Sequence, residues 1–201
     1  MLDAAMRKLI DPPLDAAARR LGAVGVRANA ITLGGLAVGL AAVPLIAAEW
    51  YAAALAAVLV NRLADGLDGA LARQTGPTDL GGYLDIVGDY LFYAAVPFGF
   101  ALARAENALP AAFLIFAFMG TGASFLAYAI VAAKRRLTTV RRGSKAFFYL
   151  GGLTEGTETI AVFVAFCLFP GAFAILAYGF GALCWATTLW RMAAAGRAFR
   201  D

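Results

Sequence analysis

The chain has 201 residues, 62% of them hydrophobic, with 17 basic and 13 acidic side chains and a net charge of +4. Its mean hydropathy of +0.76 sets it apart from soluble domains, whose apolar content is about 45–50%. Histidine is absent, which excludes an imidazole base, a Ser-His triad and His-ligated zinc. The two cysteines, Cys167 and Cys184, lie in apolar runs and read as small packing residues.

In chain order, residues 2–22 mix Leu2, Met6, Leu9, Ile10, Leu14 and Leu21 with Arg7, Lys8, Arg19 and Arg20, the pattern of an amphipathic segment at a membrane interface. Apolar stretches follow at 29–48, 51–72, 80–103, 109–133, 146–169 and 172–195, each long enough to cross a bilayer as a helix. The expected fold is all-α and integral to the membrane, with six transmembrane helices and an N-terminal amphipathic interfacial helix. It divides into a juxtamembrane segment, 1–28, and a membrane domain, 29–201.

The basic residues fix an expected orientation, because cytoplasmic loops carry an excess of Lys and Arg. Arg7, Lys8, Arg19, Arg20 and Arg27 precede the first span, Arg73 ends the second, and Arg191, Arg197 and Arg200 close the chain. Lys134, Arg135, Arg136, Arg141, Arg142 and Lys145 link the fourth and fifth. All belong to one side, whereas the opposite side offers Arg104, so both termini are expected in the cytoplasm. Topology and anionic headgroups account for this charge, and no nucleic-acid partner is expected.

Carboxylates inside spanning helices cost about 2.5–3.5 kcal/mol each on insertion scales and mark function. Four stand together here: Asp65 and Asp68 near the end of the second span, Asp85 and Asp89 near the start of the third. Residues three, four or seven apart share a helix face. Asp65, Asp68, Gly69 and Ala72 form one stripe, and Gly81, Asp85 and Asp89 another. A short Gln74–Leu80 turn between antiparallel helices brings the four acids together. Their mutual repulsion calls for a cation, and an oxygen-only ligand set suits Mg²⁺ or Mn²⁺. The small residues leave room for a ligand, with close helix packing as the alternative, and Arg73 adds a charge suited to phosphate.

The stretch DGLDGALARQTGPTDLGGYLDIVGD, Asp65 to Asp89, resembles the signature of the CDP-alcohol phosphotransferase family, D-x2-D-G-x2-A-R, a spacer, then G-x3-D-x3-D. Asp65, Asp68, Gly69, Ala72, Arg73, Gly81, Asp85 and Asp89 match it in order, with a seven-residue spacer. The resemblance implies an enzyme of phospholipid biosynthesis in the bacterial inner membrane, and a homodimer. Such an enzyme takes a phosphatidyl group from CDP-diacylglycerol or another CDP-alcohol, gives it to a small hydroxyl acceptor and releases CMP. Two bound ions would serve an in-line displacement, with Asp65, Asp68 and Asp85 as metal ligands and Asp89 as a further one. Without histidine a carboxylate must take the acceptor's proton, and Asp89, deepest in its stripe, is the expected base. Asp65, Gly69, Ala72, Arg73 and Gly81 would line the CDP pocket. Asn29 and Thr32, in the RANAIT entry to the first span, would touch the donor phosphates; for Asn29 a helix cap is the alternative.

For the acceptor, Glu155 and Glu158 in LTEGTET point to a cationic or polyol alcohol, and Arg135 and Arg142 to an acidic one. Ser124 is followed by Phe125, Leu126, Ala127 and Tyr128, where members that make phosphatidylinositol phosphate carry a basic residue. Two rivals differ in class. A transporter or channel would use the acids as a cation site without needing Gly69, Ala72 and Arg73 at this spacing. An aromatic prenyltransferase would show two separated acidic motifs.

Overall fold

The computed structural model describes residues 3–135 and 154–199, with side chains from Ile10 onward. Among the described residues there are seven α-helices and no strand: α1 Asp3–Ala23, α2 Ala28–Ala47, α3 Tyr51–Thr75, α4 Asp79–Ala103, α5 Ala108–Lys134, α6 Gly156–Leu168 and α7 Phe173–Ala198. Single 3-10 turns, Ala105–Asn107 and Pro170–Ala172, lead into α5 and α7. Five of the six expected stretches are helices with ends shifted by a few residues. Of the expected 146–169 span, α6 occupies 13 residues, and 146–153 lie outside the described residues.

Four helical stretches are long and apolar enough to cross a membrane: Ala28–Ala47, Asp79–Ala103, Ala105–Lys134 and Pro170–Ala198, with mean hydropathies of 2.1, 1.5, 1.9 and 1.6. The chain is an integral membrane protein. At 25 residues α3 has the length of a span, but Arg62, Asp65, Asp68 and Arg73 lower its apolar character. α1 docks on it, burying Leu14 and Ala18 against Ala70 and Leu71.

An aromatic core holds the far end of the bundle. Phe92 and Phe100 of α4, Phe163 and Phe166 of α6 and Phe173 of α7 are fully buried. Phe100 stacks on Phe173 at 4.4 Å between ring centroids, and Phe92 meets Phe163 edge-on at 5.8 Å, geometries the ring quadrupole favours.

Near the acids, small residues let backbones approach, as membrane helices favour. A Cβ on Gly35 would come within 2.6 Å of the Ala64 Cβ, and one on Gly39 within 2.7 Å of Asn61 Nδ2. The α3–α4 connection is tight for a local reason. Gly76 caps α3 at φ 99°, with its amide on the Ala72 carbonyl, a left-handed conformation glycine adopts without cost. Thr78 caps α4 by accepting from the Gly81 amide at 3.0 Å.

Candidate active site

That turn folds the two acidic stripes onto each other. Carboxylate oxygens of Asp65, Asp68 and Asp85 all lie within 4.8 Å of one another. Asp68 is 6% exposed. Its Oδ2 is buried with no hydrogen-bond partner among the described residues. A buried anionic oxygen in that state is costly, and beside two more carboxylates it fits a hard divalent cation. The donor set is all oxygen, as Mg²⁺ and Mn²⁺ require.

Asp89 stands apart from the triad. Its Oδ1 accepts from Arg62 Nη1 at 3.0 Å, and the same Nη1 lies 3.6 Å from Asp65 Oδ2. Thr32, Gly35, Asn61, Arg62, Gly88 and the four aspartates surround one small cavity of about 20 Å³, room for roughly one water-sized occupant. Arg62 was missed in the sequence, where it reads as an interruption of an apolar stretch. Its position one turn before Asp65 was the available signal.

The expected donor residues fall into two groups. Thr32 lines the cavity, and Asn29 approaches the donor glycine of α4, since a Cβ on Gly81 would meet Asn29 Oδ1 at 3.1 Å. Asn29 does not cap α2. Arg27 holds the N-cap position, with no side-chain cap bond, and Asn29 lies inside the first turn. Gly69 faces Arg73, a Cβ there lying 3.7 Å from Arg73 Nη1, and Ala72 is half-buried on α3. Arg73 reaches back to α1, where its Nη2 pairs with Asp15 Oδ1 at 3.3 Å, and Gln74 Nε2 donates to the Asp15 carbonyl at 3.1 Å.

The acceptor candidates are engaged locally. Glu155 and Glu158 form a capping box at the start of α6, with the Glu155 amide donating to Glu158 Oε2 at 3.2 Å. Arg135 donates to the Phe199 carbonyl at 3.1 Å and lies over the Phe199 ring. Arg142 lies outside the described residues. Arg191, counted in the sequence only as terminal charge, is 9% exposed and donates to the Thr121 carbonyl at 3.0 Å. It borders a cavity of about 220 Å³ shared with Ser124, Tyr128 and Phe199.

Residues 26–190 match the CDP-alcohol phosphatidyltransferase family. The chain belongs to that family. As a CDP-alcohol phosphatidyltransferase family member it is 54% identical over 193 residues to the inner membrane protein YnjF of Escherichia coli (strain K12), covering 96% of this chain and 94% of that one. It is 35% identical over 102 residues to the archaetidylinositol phosphate synthase of Pyrococcus horikoshii, 48% of this chain and 52% of the relative. The fold of this family member resembles Mycobacterium tuberculosis phosphatidylinositol phosphate synthase solved with CDP-DAG bound. The TM-score is 0.65 at 22% identity, over 90% of this chain and 92% of that one. The manganese and citrate complex of the same enzyme aligns with the same score over 87% of its length.

Proposed function

We propose that this chain transfers a phosphatidyl group from CDP-diacylglycerol to the hydroxyl of a small polar acceptor, with release of CMP, in phospholipid biosynthesis. One observation carries the reading: within the family signature, carboxylate oxygens of Asp65, Asp68 and Asp85 lie within 4.8 Å of one another, and Asp68 Oδ2 is buried with no hydrogen-bond partner among the described residues. Asp65, Asp68 and Asp85 would hold Mg²⁺ or Mn²⁺, and Asp89 would complete the set for a second ion. Bound there, the ions would neutralise charge developing on the attacking acceptor oxygen and on the bridging oxygen that leaves with CMP.

In this reading Asn29, Thr32, Gly69, Ala72, Arg73 and Gly81 line the CDP end, the glycines giving the nucleotide room and Arg73 facing its phosphates. Asp89 takes the proton from the acceptor hydroxyl. The acceptor oxygen then bonds to the phosphorus bearing the diacylglycerol, the bond from that phosphorus to the bridging oxygen breaks, and CMP leaves with that oxygen. The same proposal has six spans, with 1–28 as a cytoplasmic interfacial segment, 29–201 as the membrane domain and both termini in the cytoplasm of a bacterium; four long apolar helices and the one-sided basic residues are what supports it. A homodimer belongs to the same proposal. Arg135, Arg142, Glu155 and Glu158 are the acceptor-side candidates.

The test is to incubate purified protein with Mg²⁺ or Mn²⁺, CDP-diacylglycerol and a panel of alcohols, and to measure CMP. Release that depends on both metal and one alcohol supports the reading. No CMP with any donor or acceptor, together with cation flux in liposomes, would replace it with the transporter.

A further inference from the structure

Arg62 has more partners than an ion pair needs; they come from α3 and α4, and one of them, Asn61, is itself tied to α2. Its Nε and Nη2 both donate to Asn61 Oδ1, at 2.8 and 2.6 Å, while Asn61 Nδ2 donates to the Gly35 carbonyl of α2 at 2.8 Å. Its guanidinium carbon lies 4.6 Å from the centroid of the Phe92 ring on α4, and Phe92 is fully buried. The Arg62 side chain is 15% exposed. Asn61 therefore occupies the Nε–Nη2 edge of the fork and an aromatic ring covers its face, while Nη1, 3.6 Å from Asp65 Oδ2, is left to hydrogen-bond a carboxylate. It points at Asp89 Oδ1.

We propose that Arg62 is a positioning residue for Asp89. By fixing Oδ1, the clamped guanidinium leaves Oδ2 as the free acceptor of that carboxylate, on the wall of the cavity that the metal-binding triad shares. Asp89 is thereby held with one oxygen presented as a proton acceptor beside the triad. The inference rests on the transferase reading above, in which Asp89 is the base. A lysine could not replace the arginine fully, because a single ammonium lacks the planar fork that serves Asn61 and Asp89 together.

The experiment compares the full-length chain with Arg62→Gln and Arg62→Lys. Three quantities are read for each: kcat by CMP release, donor KM, and Mn²⁺ affinity by electron paramagnetic resonance titration. The expected result for R62Q is a kcat about 10–100-fold lower, with donor KM and Mn²⁺ affinity within about twofold of the unaltered chain, as for other residues that orient a functional ligand. R62K should recover only part of the loss. Normal kcat in either variant overturns the inference, as does a fall in Mn²⁺ affinity that parallels the fall in kcat, which marks Arg62 as structural. If R62Q does not fold, R62K decides alone, full activity counting against the proposal and impaired kcat with normal Mn²⁺ binding for it. Absence of CMP from the unaltered chain removes the transferase reading and this inference with it, whereas active unaltered protein with an indifferent R62Q removes only the inference.

Discussion

Arg73 Nη2 and Asp15 Oδ1 meet at 3.3 Å and tie the last turn of α3 to the N-terminal helix. Arg73 is the basic residue of the family signature, so one side chain belongs both to the proposed donor pocket and to a contact with α1. Both partners are well exposed, at 43% and 39%, and pairs of that kind contribute about 0.2–1 kcal/mol. Asp15→Ala should therefore leave the melting temperature almost unchanged while releasing Arg73 towards the donor phosphates, lowering donor KM. A raised KM with an unchanged melting temperature would show instead that Asp15 holds Arg73 in its working position.

Metal should stabilise the fold. A ligand that binds only the folded state at 100 times its Kd adds about 2.7 kcal/mol, so Mn²⁺ should raise the melting temperature and EDTA should reverse it. Asp68→Asn, which alters the buried member of the triad, should abolish most of that rise and the CMP release together. An Asp68→Asn protein with the full Mn²⁺ shift would remove Asp68 from the ligand set.

Asp89→Asn should lower kcat by about 10²–10⁴-fold, the range for a general base, with binding of CDP-diacylglycerol still measurable by calorimetry. Normal turnover in this variant would mean that another group takes the proton.

Glycine packing beside the site is open to a direct comparison. A Cβ on Gly39 would lie 2.7 Å from Asn61 Nδ2 and 2.8 Å from Phe92, whereas one on Gly34 meets nothing within 4 Å. Gly39→Ala should cost about 1–3 kcal/mol through overpacking and lower kcat by shifting Asn61, the residue that clamps Arg62. Gly34→Ala should be neutral to within roughly 0.5 kcal/mol. Equal thermal stability of the two would contradict the close approach of α2 to α3.

Outside the membrane-spanning segments, Arg104 grips Glu49 with two hydrogen bonds, at 2.8 and 3.1 Å. The guanidinium holds the Glu49 carboxyl below its ordinary value of 4.5. A carboxyl lowered in the folded state contributes stability above its unfolded value, and that contribution fades as pH falls through the folded one. Glu49→Gln should therefore melt slightly lower than the unaltered chain at neutral pH, and the two curves should converge as the pH falls through the lowered folded-state value of Glu49. A difference that persists in acid would assign the effect to something other than this charge pair.

Much of the site was legible in the sequence because its logic is local. A 3.6-residue period puts Asp65 with Asp68 and Asp85 with Asp89, and Gly76 and Thr78 end one helix and begin the next within three residues. The four apolar spans follow from apolar runs for the same reason, whereas the charged residues of α3 keep it from standing out by hydropathy.

Tertiary structure decided what lies across helices. Asp89 reads in the sequence as the base and a further ligand beside the trio Asp65, Asp68 and Asp85, but only the packing shows Arg62 reaching across from α3 to take it. Glu155 and Glu158 read as intramembrane acids facing a ligand, and they form a helix cap, a choice that depended on where α6 begins. Arg191 became a buried residue only once α5 and α7 packed together. Side-chain spacing along one helix is set by backbone periodicity, but the partner of a long, charged side chain is set by which neighbouring helix approaches and how closely. Here glycines on α2 and α4 made that approach possible.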